Sequence, residues 1–152
     1  MSKKTNDHLD MGTVLNKILA EERVTIRIYN STVDYISDRQ VKRLLSAFQG
    51  DHKLIIERIK SRMRSLGIKP KANLGILESI DRAMLEISSL VGFAPSDSDL
   101  IEKIYNTEAR NLQEIKNLKI DSLNSVSQKL VKRIITINDN NLKQLKDLVN
   151  KI

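Results

Sequence analysis

Apolar residues recur at steps of three and four along most of this chain, the spacing that lines one face of an α-helix. From about Gly12 to Ile36 the stripe consists of Leu15, Leu19, Ile26, Tyr29, Val33 and Ile36. A second stripe follows through Val41, Leu45, Phe48, Ile55, Ile59 and Leu66. Ser37 and Asp38 supply side-chain caps between the two, and Gly67 with Pro70 ends the second helix where a left-handed cap and a breaker belong. So short a connection makes the two helices antiparallel neighbours. Asn73 caps a third, shorter amphipathic helix through Leu74, Leu77, Ile80, Met84, Ile87 and Val91, which Gly92-Phe93-Ala94-Pro95 closes. The run from Ser96 to Asp99 offers caps for a helix reaching about Leu118, with Ile101, Tyr105, Leu112 and Ile115 inward. After a turn near Asp121, the last helix runs from about Leu123 to Ile152.

Five helices result, four of them long, and the fold class is all-α. A helical segment between the second and fourth helices lets the chain travel the length of a four-helix bundle, giving a long-crossover topology. An up-down five-helix array is the alternative. A weak internal echo, Val41-Lys42-Arg43 against Val131-Lys132-Arg133, hints at two related halves.

Composition narrows the setting. The 152 residues suit one domain, expected over residues 12–152 behind a polar, mobile tail at 1–11 that holds His8. There is no cysteine, which excludes disulfides, thiolate metal sites and thiol catalysis and suits a reducing compartment, the cytoplasm. No stretch approaches the roughly 18 apolar residues of a membrane span. P-loop, dinucleotide fingerprint, nucleophile elbow and His-Glu-x-x-His motifs are all absent.

Candidate chemistry lies where the long stripes are interrupted. Between Leu19 and Ile26 the stripe position is Glu22; between Phe48 and Ile55 it is His52; between Tyr105 and Leu112 it is Glu108; and the last stripe breaks at Asn138 and Asn141. All lie near mid-helix, so a bundle brings them to one level. A buried carboxylate needs hydrogen-bond partners, a changed protonation state or a metal. Gln49 and Gly50 stand beside His52, the glycine as a place of close backbone approach, and Tyr29 and Tyr105 each lie near a core Glu as hydroxyl donors or as rim packing.

This pattern resembles the ferritin-like superfamily, whose di-iron members place a Glu on the first and third bundle helices and Glu-x-x-His on the second and fourth. Here those places hold Glu22, Gln49-x-x-His52, Glu108 and Asn138-x-x-Asn141. Helix lengths, the Leu66-Gly67 ending and the helical crossover also resemble an uncharacterised bacterial family of ferritin-like four-helix proteins. The resemblance implies a ferritin-like bundle with an extra short helix in its crossover. It carries over a degenerate ligand set, because amides replace two carboxylates and the second His. Amide oxygens are poor ligands for iron or manganese, so a di-iron oxidase is not expected.

The expected function is therefore a non-enzymatic interaction or stress-associated module, with self-association into a homo-oligomer left open. One alternative is a single Fe, Mn or Zn ion held by Glu22, His52 and Glu108. Another rests on the formal charge of +7: Lys53, Arg58, Lys60, Arg62 and Arg64 form a basic stretch for nucleic acid or an acidic partner, against the plain reading that cations favour a helix C-terminus. Asp81, Glu86 and Glu102 read as solvated faces.

Overall fold

Four long helices make up most of the residues that the structure, a computed structural model, describes: 3–71 and 95–151, with side chains from Met11 onward. Helix α1 spans Lys3–Thr32 and passes into a 3₁₀ turn, Val33–Tyr35; α2 spans Arg39–Ser65, α3 Asp97–Lys116 and α4 Ser125–Lys151. The first helix thus starts well before Gly12, since nothing between Lys3 and Met11 breaks a helix, and Gly12 is absorbed within it. Its end comes before Ile36: the Thr32 hydroxyl bonds back to the Ile28 carbonyl (2.6 Å), and the tighter turn keeps Val33 buried. The helix expected from Asn73 to Val91, with Asp81 and Glu86, lies outside the described residues.

Local chemistry sets the other boundaries. Asp38 Oδ1 accepts from the amides of Gln40 (2.8 Å) and Val41 (3.1 Å), satisfying two orphan donors at the start of α2. At its end Gly67 takes φ 70°, and the Ile68 amide returns to the Met63 carbonyl (2.8 Å) in a Schellman closure. Helix α3 opens on a capping box in which the Ser96 hydroxyl accepts from the Asp99 amide and the Asp99 carboxylate accepts from the Ser96 amide.

Helix α1 packs against α2 and α3, and α4 packs against α3 and α2, a four-membered ring in the order α1, α2, α4, α3. Asp97, at the start of α3, accepts from the amides of Ser37 (2.8 Å) and Asp38 (2.9 Å), so α2 and α3 begin at the same end. The connection between them must therefore cover the length of α2, about 40 Å at 1.5 Å per residue. The chain between them therefore returns along the bundle before α3 begins. Among the described residues no helix is long and apolar enough to cross a membrane.

The caps carry a prediction. Ser96→Ala should lower stability by about 1 kcal/mol by opening the capping box, and Gly67→Ala by about 1 kcal/mol or more, because a Cβ is strained in the left-handed region. Urea midpoints at constant m-value check both; unchanged midpoints would mean that these termini are not closed as described.

Candidate functional site

Each bundle helix turns one polar side chain into the interior at the same level. Glu22 and His52 are each 1% exposed, Glu108 4% and Asn138 5%. Apolar neighbours one or two turns away on each helix force them inward: Ile18 and Leu19 for Glu22, Phe48 and Ile55 around His52, Ile104 and Leu112 around Glu108, Ile134 and Leu145 around Asn138. The layer divides the core. On one side lie Leu15, Leu19, Ile55, Ile59, Met63, Ile115 and Val131; on the other lie Ile28, Val33, Leu45, Phe48, Leu100, Ile104 and Leu145.

His52 is the centre. Its Nδ1 donates to Glu22 Oε2 (2.6 Å) and its Nε2 donates to Glu108 Oε1. Ionised carboxylates only accept, so both ring nitrogens must carry protons and the ring is an imidazolium. Burial alone would push its pKa down; the hydrogen bonds it donates to Glu108 and Glu22, with their negative charges, outweigh that and raise it from 6.5 to about 10. Tyr29, tilted against the imidazole at 5.3 Å between ring centroids, donates its hydroxyl to Glu108 Oε1 (2.8 Å). Burial above all, then the neighbouring Glu108 charge, holds the phenol well above its ordinary pKa, so it stays a donor. Asn138 Nδ2 donates to Glu22 Oε1 (2.6 Å). Two buried oxygens of the layer, Glu108 Oε2 and Asn138 Oδ1, have no partner.

The remaining candidates fall differently. Asn141 is buried but turns aside, donating to Asp51 Oδ2 (3.2 Å). Gln49 stands outside the layer, where its Nε2 donates to Asn30 Oδ1 (2.6 Å) in an exposed contact. Gly50 is exposed, and a Cβ there would meet nothing within 4 Å, so no close approach explains it. Tyr105 is half-buried against the core; the hydroxyl in the layer belongs to Tyr29. A second buried network was not foreseen: Asn111 Nδ2 donates to Thr25 Oγ1 (2.5 Å) and to the Glu21 carbonyl (3.2 Å), joining α3 to α1. Its only trace in the sequence is Asn111 beside the inward Leu112.

The sequence profile of a family described as Domain of unknown function (DUF2383) matches residues 10–119. The chain belongs to that family. Its fold is similar to a crystal structure described as ferritin like, diiron-carboxylate proteins from Bacillus anthracis str. Ames, at 18% identity, over 98% of this chain and 99% of that one, with a TM-score of 0.68. That likeness establishes a ferritin-like four-helix bundle. No curated protein matches the chain.

The residues of this DUF2383 chain do not fit a di-metal centre. Two carboxylates and one His enter the layer, Asn138 and Asn141 occupy the last helix, and Gln49 points away. A metal-bound His gives one nitrogen to the ion and the other N–H to an outer acceptor; His52 instead spends both nitrogens on carboxylates at opposite edges of its ring. Among the described residues no three His, Asp or Glu side chains converge as a metal site.

Two predictions follow from this geometry. A His whose folded pKa is raised contributes stability that is full below 6.5 and lost as pH climbs to about 10. Glu22 on α1 and Glu108 on α3 are the charges it feels, while Tyr29 beside it feels both of these and Asp51. The urea midpoint should fall across that window, by an amount on the order of a few kcal/mol, and His52→Leu should flatten the dependence; a native profile already flat would rule out the imidazolium. Removing His52 alone leaves two buried carboxylates facing each other and should cost about 3 to 5 kcal/mol. Because Tyr29 and Asn138 donate into those carboxylates, the matched apolar layer is Y29F/E22L/H52L/E108L/N138L. That variant should equal or exceed H52L in stability; a harmless H52L change would show that the ring is not shared.

Proposed function

We propose that this protein is a non-enzymatic ferritin-like bundle serving as an interaction module, its interior closed by a Glu22–His52–Glu108 charge layer rather than by metal ions. The observation that supports this is the double engagement of His52: the imidazolium is itself the cation that two buried carboxylates require. A layer of this kind contributes register more than net stability, since unpairing any member is costly while the whole set is replaceable. Interaction then falls to the outer surface.

A second reading has its own support. Glu108 Oε2 and Asn138 Oδ1 are buried acceptor oxygens without donors, on neighbouring helices at one level, and oxygen donors suit a hard divalent ion such as Mn(II). For Glu22, His52 and Glu108 to hold such an ion together, it would also have to displace the proton that His52 Nε2 donates to Glu108.

Metal content and thermal melting of protein purified without a histidine tag separate the two. The charge-layer reading expects less than stoichiometric metal and no rise in Tm with Fe(II), Mn(II) or Zn(II). A rise of several degrees with one of these ions, abolished in Glu108→Ala, would overturn it in favour of the single-ion reading.

A further inference from the structure

The cations of this protein are unevenly balanced. From Arg58 to Lys71, covering the last part of α2, the chain has no carboxylate, and neither does α4 from Ser125 to Asn138. These two acid-free stretches lie side by side. Arg62 Nε donates to Ser127 Oγ (3.0 Å) and its Nη2 to Asn124 Oδ1 (3.0 Å), while further along the same seam Asn141 donates to Asp51. The two contacts fix an antiparallel register. Stepping from the two contacts places Arg58 level with residues 131–134, Arg133 among them, and Arg62 level with residues 127–130.

Helical spacing decides which of them line the seam. On α2, Asp51, Arg58, Arg62 and Ser65 are separated by seven, four and three residues and so share the side that touches α4. On α4 the four-residue row from Asn141 runs through Ile137 to Arg133, while Lys129, two residues from the inward Ser127, stands on the outer face. Arg58 is half-buried, and Lys129 and Arg133 are exposed. Several surface cations have a carboxylate partner: Lys17 with Glu21, Lys60 with Glu57, Lys116 and Lys143 with Asp139. Among the described residues Arg58, Arg62, Lys129 and Arg133 form no ion pair. Arg62 is held by neutral oxygens only, since Nη1 donates to Ser65 Oγ (3.3 Å), so its position is fixed while its charge stays uncompensated. The nearest carboxylates along the chain are Glu57, beside Arg58 and 3.6 Å from Lys60, and Asp139, which pairs with Lys116 and Lys143.

We propose that the rim of the α2–α4 seam binds the phosphodiester backbone of a nucleic-acid duplex, independently of what occupies the interior layer. Arg58 and Arg62 stand one helical turn apart on one wall and Arg133 stands on the other, on helices about 10 Å from axis to axis. Cations on both walls suit a rod of regularly spaced phosphates. A guanidinium already held in place loses little freedom on meeting a phosphate, and the serine hydroxyls beside it are common phosphate partners. No aromatic side chain lies in these rows to stack on an unpaired base, so the contact reads the backbone without sequence preference.

Fluorescence anisotropy of the full chain with a dye-labelled mixed-sequence DNA duplex in low salt tests this. Binding should weaken steeply with salt, with a log–log slope of about −2 to −4 for three or four phosphate contacts. R58Q/R133Q should weaken binding at least tenfold and reduce that slope by about 2, while K143Q/K146Q, which removes the same charge from the other half of α4, should change affinity less than about threefold. Circular dichroism of both variants confirms that each is folded, and R58K/R133K should restore most of the affinity. Failure to bind at low salt, equal weakening by the two glutamine pairs, or polyglutamate competing as well as unlabelled duplex would each overturn the proposal.

Discussion

Everything inside this bundle is arranged around one requirement: two carboxylates taken out of water must share a cation, and His52 is that cation. Its ring reaches Glu22 on the neighbouring α1 and Glu108 on α3, which lies diagonally opposite α2 in the ring of helices. A rotation of any one of the three helices by a single residue would carry a charged group into apolar surroundings without its partner, at a cost of several kcal/mol. Asn138 extends the demand by satisfying the second oxygen of Glu22, and Tyr29 adds another bond to the Glu108 oxygen that His52 uses. The layer thus specifies rotation and axial register together, which the leucine and isoleucine layers on either side could satisfy in several ways.

The same requirement explains why the ferritin-like architecture can stand without metal. In a bundle built around ions, positive charge comes from outside and the side chains supply donors. Here the positive charge is covalently part of α2, and the positions that would add negative charge on the last helix are amides. The exchange is incomplete, because with both carboxylates ionised the layer keeps one net negative charge and two acceptor oxygens without donors.

How far the sequence could be read differed with the physics involved. Helix α2 and the cap of α3 were legible almost to the residue because Asp38, Gly67 and Ser96 act through local backbone chemistry. The layer itself was visible as Glu22, His52, Glu108 and Asn138 interrupting apolar stripes, a signal that survives because stripe position fixes burial. Direction within the layer was not visible. Gln49 is one turn from His52 in sequence yet reaches Asn30 at the surface, and Asn141 chooses Asp51 over the centre, outcomes set by rotamers and neighbours on other helices. The Thr25–Asn111 pair escaped notice because α1 is buried around more of its circumference than a two-neighbour helix requires, with Ala20, Val24 and Ile28 all inside.

Tyr29 gives the interior an optical voice. The chain has three tyrosines and no tryptophan, and of the three only Tyr29 is fully buried, with Tyr35 exposed and Tyr105 between them. A phenol hydrogen-bonded to a carboxylate emits weakly, because its proton is readily shared with that acceptor in the excited state. The natural protein therefore carries an emitter wired to Glu108, dark while the Tyr29–Glu108 bond is intact and bright once it parts. Two other phenols give a constant background, so light from the unmodified chain reports on whether this buried carboxylate keeps its phenol.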